Sequence, residues 1–287
     1  MLDKAWADSQ IPAVILMLKG SPVSFVERSG SMTYSGPFAV DATSLQRYNL
    51  NVYDYRTGRM VPNPNIPPNS VGVLPITGPI TKYNGDCGEP GSIERTNWAL
   101  TLMQRDNIGS IIQLIDTPGG ESRAASGYVS VLKNSKKPVL SFIDGMCASL
   151  GVWFSSVSQE AFFGNEMDEM GSVGSYCSIL DFRGYLEKEG INLIEIYAPQ
   201  STEKNKEYRD ALNGDTSAIE ADLKMHVDHF ISFVKNSRGD KAKANASAWE
   251  KGAMFHAREA VKIGLADGIK PFSEVVSKAA WLAKRNK

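Results

Sequence analysis

The central part of the chain alternates short apolar runs with stretches in which apolar residues recur every three or four positions. The apolar runs cover residues 71–76, 111–115, 139–143 and 161–163. Continuous runs of this length are typical of strands buried on both faces of a parallel sheet, whereas the spacing between them is typical of amphipathic helices. This repeat, at intervals of about thirty residues, predicts an α/β domain with a largely parallel sheet.

In three further segments, apolar residues recur at a regular spacing. Residues 92–105 have helical spacing, with Ser92 as the expected N-cap and Trp98 as an expected core residue. Residues 216–238 predict a long amphipathic helix. Residues 191–197 alternate between apolar and polar side chains, which predicts a half-buried strand.

The pattern divides the chain into three parts. Residues 1–70 are interpreted as an N-terminal arm or propeptide-like segment that ends in a proline-rich linker, because closely spaced prolines cannot form a helix or a central strand. Residues 71–270 are the predicted α/β domain. Residues 271–287 predict a basic amphipathic helix, which we expect to be solvated rather than an assembly element.

Composition excludes several classes of protein. A hydrophobic fraction of 42% and a charged fraction of 22% are those of an ordinary soluble globular protein. The net charge of −1 provides no general attraction to nucleic acid, so no nucleic-acid partner is predicted. The three cysteines form neither a disulfide framework nor a zinc motif, which predicts reduced thiols and a cytoplasmic protein. Cys147 is interpreted as a small buried filler.

No membrane-spanning or secretory segment is expected. The longest early apolar run covers residues 11–18, which is too short to cross a bilayer, and no cleavage-site pattern follows it.

Two apolar runs end in small-residue turns that are suited to acyl transfer. The first turn contains Gly119 and Gly120, and the second presents the hydroxyl of Ser149 at the start of a predicted helix. Glycines allow close approach of backbone, and free N–H groups at a helix start favour negative charge. A nucleophile beside such donors can form an oxyanion that the donors stabilise. The alternative is an ordinary pair of structural turns with Ser149 as an N-cap.

Three short runs resemble the signature runs of the signal peptide peptidase A family in order and spacing. They are residues 117–120 (TPGG), 144–151 (DGMCASLG) and 170–175 (MGSVGS). The resemblance covers residues 71–269, and the family includes the head-maturation proteases of tailed phages. It implies the Clp protease/crotonase-like fold, built from repeated strand-strand-helix units, together with serine peptidase activity, an oligomeric state and no cofactor.

The resemblance also implies roles for individual residues. Ser149 would be the nucleophile, and the backbone N–H groups of Leu150 and of Gly119 or Gly120 would be the oxyanion donors. Leu150 replaces a glycine that is common in the family, which keeps the N–H but makes the floor of the pocket more apolar.

The loop at residues 170–176 contains Gly171 and Ser172, which would bind substrate. Free backbone groups in this loop would pair with an extended peptide by strand addition. A plain turn is the alternative.

The base that activates Ser149 is the least defined part of the site. None of the three histidines, His226, His229 and His256, lies in a motif that suggests pairing with the serine. His226 and His229 share a helix face, but no third ligand stands out, so no metal is predicted.

The resemblance implies a lysine base instead, roughly fifty residues after the serine, with a pKa lowered by desolvation or by neighbouring cations. Lys204 is the preferred candidate and Lys206 the second. Glu203 stands where the family has a small or aromatic residue, and its carboxylate would keep the amine charged. The alternative is that both lysines belong to a charged surface loop.

The function predicted from these residues is a serine endopeptidase with a Ser149–Lys204 dyad. Its expected substrates are phage or prophage capsid or scaffold proteins, or signal peptides, and its expected location is the cytoplasm or a phage prohead. Self-association to a homo-oligomer is expected. Two alternatives stay open: a crotonase-type acyl-CoA enzyme, and a non-catalytic capsid assembly or scaffold protein.

Overall fold

The computed structural model describes residues 36–54, 57–85 and 88–285. Half of the predicted N-terminal arm, residues 1–35, lies outside the described residues, as does Cys87.

The elements follow one another in a strand-rich first half and a helix-rich second half. The strands are β1 (Phe38–Val40), β2 (Arg47–Asn49), β3 (Asn51–Asp54), β4 (Arg59–Pro62), β5 (Ser70–Thr77), β6 (Ile108–Thr117), β7 (Val139–Ala148), β8 (Glu160–Phe163), β9 (Glu169–Gly171), β10 (Met254–His256) and β11 (Gly268–Ile269). The helices are α1 (Ser92–Gln104), α2 (Ala125–Lys133), α3 (Leu150–Ser155), α4 (Arg183–Lys188), α5 (Lys206–Leu212), α6 (Ser217–Arg238), α7 (Asp240–Ala244), α8 (Ala246–Trp249), α9 (Ala257–Lys262) and α10 (Phe272–Arg285).

These elements form two compact units. The first, which we call the sheet unit, consists of the described residues of Met1–Gly174 and Ile231–Lys287. The second, the insert unit, is Ser175–Phe230. The boundaries at residues 70 and 270 that the sequence suggested stay a prediction, although β1 lies before the first of them and is part of the central sheet.

The sheet unit is built on one large sheet, which has nine strands within the described residues. Its strand order is β10-β9-β7-β6-β5-β1-β2, with β8 and β11 on a branch from β7. Strand β5 pairs with β6, β6 pairs with β7, and β7 pairs with both β8 and β9, and all of these pairs are parallel. The antiparallel pairs lie at the two ends of the sheet. This confirms the predicted fold class of α/β with a largely parallel sheet.

The core covers both faces of the central strands, as the continuous apolar runs predicted. On one face, Val73, Leu140 and Phe142 belong to a buried cluster that includes Val275 and Val276 of α10. The expectation that the C-terminal helix is solvated is therefore wrong. Its apolar residues lie on one side because valine and alanine recur at helical spacing, and this side faces the sheet.

Helix α1 is present, but its buried face differs from the predicted one. Gly91 occupies the N-cap position, and Ser92 is the first helical residue. Trp98 is only half-buried, whereas Arg95 is fully buried. The guanidinium of Arg95 donates to Thr77 O at 2.8 Å and to Pro90 O at 2.7 Å, and burial lowers the pKa of Arg95 to about 10. The hydrogen bonds of Arg95 at the end of β5, rather than the spacing of apolar residues, therefore determine how this helix is oriented.

The insert unit contains α4, α5 and most of α6 and exposes much of its apolar surface. The predicted strand at residues 191–197 is absent, so that prediction is wrong. Within this described segment, no backbone N–H or C=O of residues 192–197 takes part in a hydrogen bond. Ile194 is 78% exposed and Ile196 is 90% exposed. A strand needs a paired neighbour, which alternation in the sequence cannot supply.

Candidate active site

Strand β7 carries the candidate nucleophile and changes its partner just before it. Its first half pairs with β8 as far as Ile143, and its second half pairs with β9 from Met146 to Ala148. Gly145 lies between the two halves with a φ of 117°, a conformation that favours glycine. The strand therefore continues through the predicted turn and ends at the residue before Ser149.

Ser149 occupies a sharp bend between β7 and α3. Its φ of 50° and ψ of −113° are unusual for a residue with a side chain. The bend is held from both sides, because Ser149 N–H donates to Gly171 O at 2.8 Å and Ser149 C=O accepts from Val152 N at 2.9 Å. Its side chain makes no N-capping hydrogen bond, so the plain N-cap alternative does not describe this serine. The residue is 3% exposed.

The glycine turn after β6 packs directly on this bend. A Cβ at Gly119 would lie 2.7 Å from Ser149 Cβ and 3.1 Å from Leu150 N. A Cβ at Gly120 would lie 1.8 Å from Ile80 O. Any side chain at either position would therefore displace the backbone, which explains why this turn consists of glycines.

Of the three backbone N–H groups that were predicted as oxyanion donors, two have no acceptor among the described residues. Gly119 N–H is already engaged, because it donates to Thr117 Oγ1 at 3.1 Å, and that hydroxyl donates to Gly78 O at 2.6 Å. Among the described residues, neither Gly120 N–H nor Leu150 N–H has a hydrogen-bond acceptor. Of the two alternatives that the sequence left open, the free donor is that of Gly120.

Gly171 and Ser172 hold the site in place in this structure. Gly171 pairs with Ala148 of β7 and with Met254 of β10, and a Cβ at Gly171 would lie 2.2 Å from Ala253 O. Ser172 N–H donates to Ala253 O at 2.8 Å. These backbone groups are occupied, so the residues' contact with an extended peptide stays a prediction.

Sequence reasoning gave Asp168 no role, and it noted Thr117 only as part of the TPGG run. Asp168 is 4% exposed, and its carboxylate accepts from Gly145 N and from the backbone and side chain of Asn165. Burial raises the pKa of Asp168, although these hydrogen bonds act in the opposite direction. An Asn-x-x-Asp spacing directly after a strand is the one signal in the sequence, and it suggests only a turn.

The candidate bases lie in the insert unit, on the turn before α5 and on its first residue. Lys204 is exposed, and its backbone C=O accepts a hydrogen bond from Arg209. Lys206 Nζ lies 2.6 Å from Asp210 Oδ2, and this hydrogen bond raises the pKa of Lys206. A raised pKa leaves less of the Lys206 amine in its neutral, proton-accepting form at neutral pH. The pairing of either lysine with Ser149 stays a prediction.

The remaining candidate groups have local partners. His226 Nε2 lies 3.7 Å from Asp222 Oδ1, and His256 Nδ1 lies 3.5 Å from Glu169 Oε1. No cluster of three His, Cys, Asp or Glu residues suited to a metal ion occurs in the part of the chain that the structure describes. Cys147 is fully buried, as predicted, and burial raises the pKa of its thiol to about 12.

Ser149 thus lies with a positive φ on a strand-to-helix bend of an α/β fold, and the glycine turn covers this bend. The model of peptidase family S49 matches residues 131–286, which is more than half of the chain. The chain therefore belongs to peptidase family S49.

Several curated proteins are similar to this chain at low identity. A putative protease of Methanocaldococcus jannaschii is 21% identical over 63% of this chain and 58% of its own length. The head-tail preconnector protein GP5 of Enterobacteria phage P21 is 20% identical over 76% of this chain and 44% of its own length. Protease 4 of Haemophilus influenzae is 21% identical over 76% of this chain and 35% of its own length. The chain thus aligns with less than two thirds of each of these relatives.

No helix within the described residues has both the length and the hydropathy that a membrane span needs.

Proposed function

We propose that this chain is a serine endopeptidase in which Ser149 is the nucleophile and Lys204 is the base. The observation that carries the proposal is the strained Ser149 packed under Gly119. The N–H groups of the next residue in each turn, Leu150 and Gly120, have no acceptor in the described chain. Strain of this kind persists where the surrounding structure enforces it, and it occurs often at active sites. Membership of a peptidase family supports the same reaction class.

In the proposed reaction, Ser149 Oγ attacks the carbonyl carbon of a peptide bond. Lys204 Nζ, as a neutral amine, takes the serine proton and passes it to the leaving amine. The N–H groups of Leu150 and Gly120 stabilise the negative charge on the carbonyl oxygen in the tetrahedral intermediate. Water then hydrolyses the acyl-enzyme and regenerates the serine. No cofactor takes part in this scheme.

The proposed substrates are polypeptides of a phage or prophage head, such as capsid or scaffold proteins, and the proposed location is the cytoplasm or a prohead. The similarity to a phage head-tail preconnector protein supports this setting. Degradation of signal peptides is the second candidate, which the similarity to a putative signal peptide peptidase of Enterococcus faecium supports.

We also propose that the chain self-associates through the insert unit. Its extended segment at residues 191–197 exposes Ile194 and Ile196 and leaves its backbone groups unpaired within the described chain. Exposed apolar side chains on an unpaired extended segment are typical of an interaction surface. A second copy of the chain would cover them by strand pairing.

The experiment that tests the dyad is labelling with a fluorophosphonate probe, which reacts with activated serines, followed by peptide mass spectrometry. We expect a label on Ser149 in the wild type and none in Ser149→Ala. Lys204→Ala should slow labelling by about 100-fold or more, since a general base contributes on this scale. Lys206→Ala is the matched control and should label at nearly the wild-type rate, because its amine is paired with Asp210.

Other outcomes would redirect the proposal. Loss of label in Lys206→Ala alone would assign the base to Lys206. A folded wild-type protein that takes no label would contradict the peptidase and favour the two alternatives. Of these, a thermal shift with acyl-CoA would support a crotonase-type enzyme, and its absence would support an assembly or scaffold protein.

A further inference from the structure

Asp168 lies beside the point where β7 exchanges one partner strand for another. Gly164 N–H donates to Ile143 O at 2.8 Å, which ends the pairing with β8. The chain then turns through residues 164–168 and continues in the same direction as β9, which pairs with the second half of β7. The turn and the kink at Gly145 must therefore fit together for β9 to reach its place beside Ala148.

The carboxylate of Asp168 joins the turn to the kink. Its Oδ1 accepts from Gly145 N at 3.0 Å and from Asn165 Nδ2 at 2.6 Å, and its Oδ2 accepts from Asn165 N at 2.9 Å. Its backbone C=O accepts from Ala257 N at 2.9 Å, which fixes it to the start of α9. The side chain is almost inaccessible to water, whereas Gly145 and Asn165 are exposed, so loss of the carboxylate would remove the connection between them and leave their N–H groups to water.

Both ends of this connection lead directly to Ser149. Gly145 lies on β7, whose last residue directly precedes Ser149. Gly171 is the last residue of β9, and its carbonyl oxygen accepts a hydrogen bond from Ser149 N–H at 2.8 Å. We propose that Asp168 is a positioning residue that holds β7 and β9 in the register presenting Ser149 and the Leu150 N–H. Its consequence for catalysis rests on the proposed peptidase function, whereas the positioning itself does not.

The chemistry of the site explains why a carboxylate is needed. Three N–H groups converge on its two oxygens, and an ionised carboxylate is the side chain that accepts at both atoms without donating. Asparagine would keep the Oδ1 contacts with Gly145 and Asn165 Nδ2 but would present an NH₂ group to Asn165 N–H. Asp168→Asn is therefore expected to give a partial defect and Asp168→Ala a full one.

The test combines two measurements on the full chain. The first is hydrogen exchange of peptides that cover residues 145–150, which needs no catalysis. The second is saturation kinetics of fluorophosphonate labelling, which separates the maximal rate of labelling from the apparent affinity for the probe. Glu166→Gln is the matched control, because Glu166 lies in the same turn but pairs with Arg258 at the surface.

We expect faster exchange at residues 145–150 in Asp168→Ala, together with a maximal labelling rate about 10- to 100-fold lower at unchanged probe affinity, because a small misplacement of reacting groups costs this much. Asp168→Asn should lie between Asp168→Ala and the wild type, and Glu166→Gln should match the wild type. A variant destabilised only globally would instead show faster exchange throughout the sheet unit.

The inference is overturned if exchange at residues 145–150 is unchanged in folded Asp168→Ala, or if its labelling rate equals that of a labelled wild type. If the wild type takes no label at all, the proposed function fails, and the exchange measurement still decides whether Asp168 positions the bend.

Discussion

The sheet unit and the insert unit differ in how they use their apolar residues. In the sheet unit, apolar strands are buried on both faces, and Ser149 is held by hydrogen bonds from β9 and from the first turn of α3. In the insert unit, Ile194 and Ile196 are among the most exposed apolar side chains, and Lys204 lies in a solvated turn. Ser149, the proposed nucleophile, is thus positioned by a packed core. Lys204, the proposed proton acceptor, lies on a unit that has no large core of its own.

This contrast suggests that the two halves depend on different interactions. The geometry at Ser149 depends on contacts within the sheet unit. Lys204 lies in an exposed turn of the insert unit. We therefore expect substitutions in the sheet unit to affect labelling directly, and substitutions on the exposed face of the insert unit to affect association first.

The largest expected effect is that of Gly120→Ala. Its new Cβ would lie 1.8 Å from Ile80 O, so the turn must move and shift the Gly120 N–H from its present position. Labelling by the fluorophosphonate should slow by about 100-fold or more, the usual consequence of losing an oxyanion donor. The measurement is the labelling rate, with urea unfolding to follow stability.

Gly127→Ala is the matched control for this substitution. A Cβ at Gly127 would meet no atom within 4 Å, and the residue lies inside α2. This variant should label normally and gain about 0.5–1 kcal/mol in free energy of unfolding, since alanine favours a helix over glycine. Normal labelling in Gly120→Ala would contradict the oxyanion assignment.

A smaller effect is expected from a charged pair on the insert unit, Ile194→Asp with Ile196→Asp. If a second copy covers this segment, burying two carboxylates there should weaken self-association by about 10-fold or more. Light scattering over a concentration series measures this directly. Met60→Asp is the control, because Met60 is a similarly exposed apolar residue on β4 of the sheet unit. Unchanged association in the double variant would exclude this segment as the interface.

The smallest effect is expected from Asp210→Asn. The hydrogen bond to Asp210 raises the pKa of Lys206, so its removal should lower that pKa towards the ordinary value for lysine. If Lys204 is the base, the pH profile of labelling should not move. A shift of the profile to lower pH, with faster labelling near neutral pH, would instead identify Lys206, because its neutral amine would then become available at lower pH.

Local patterns in the sequence were sufficient for the parts of the site that consist of short runs. Residues 111–115 and 139–143 predicted buried strands, and these form the centre of β6 and the first half of β7. The small residues around Gly119 and Ser149 predicted a close approach of two turns, which the structure contains. Such predictions succeed because side-chain size and backbone freedom act over a few residues.

Predictions failed where a long-range partner decides the outcome. The alternation at residues 191–197 suggested a strand, but a strand requires hydrogen bonds to a neighbour that the described chain does not provide. The basic C-terminal helix was expected in solvent, yet Val275 and Val276 are buried against the sheet. The spacing of apolar residues identifies the apolar face of a helix but not the surface that this face will cover.

The sequence by itself determined the α/β class, the identity of the candidate nucleophile and the glycine turn that covers it, because these follow from hydrophobic period and from residues with unusual backbone freedom. Only the tertiary structure decided that Gly119 N–H is engaged by Thr117 while Gly120 N–H is free, and that Asp168 joins β7 to β9. These features depend on hydrogen bonds between residues far apart in the chain, and such bonds are determined by how the strands pack rather than by any local pattern.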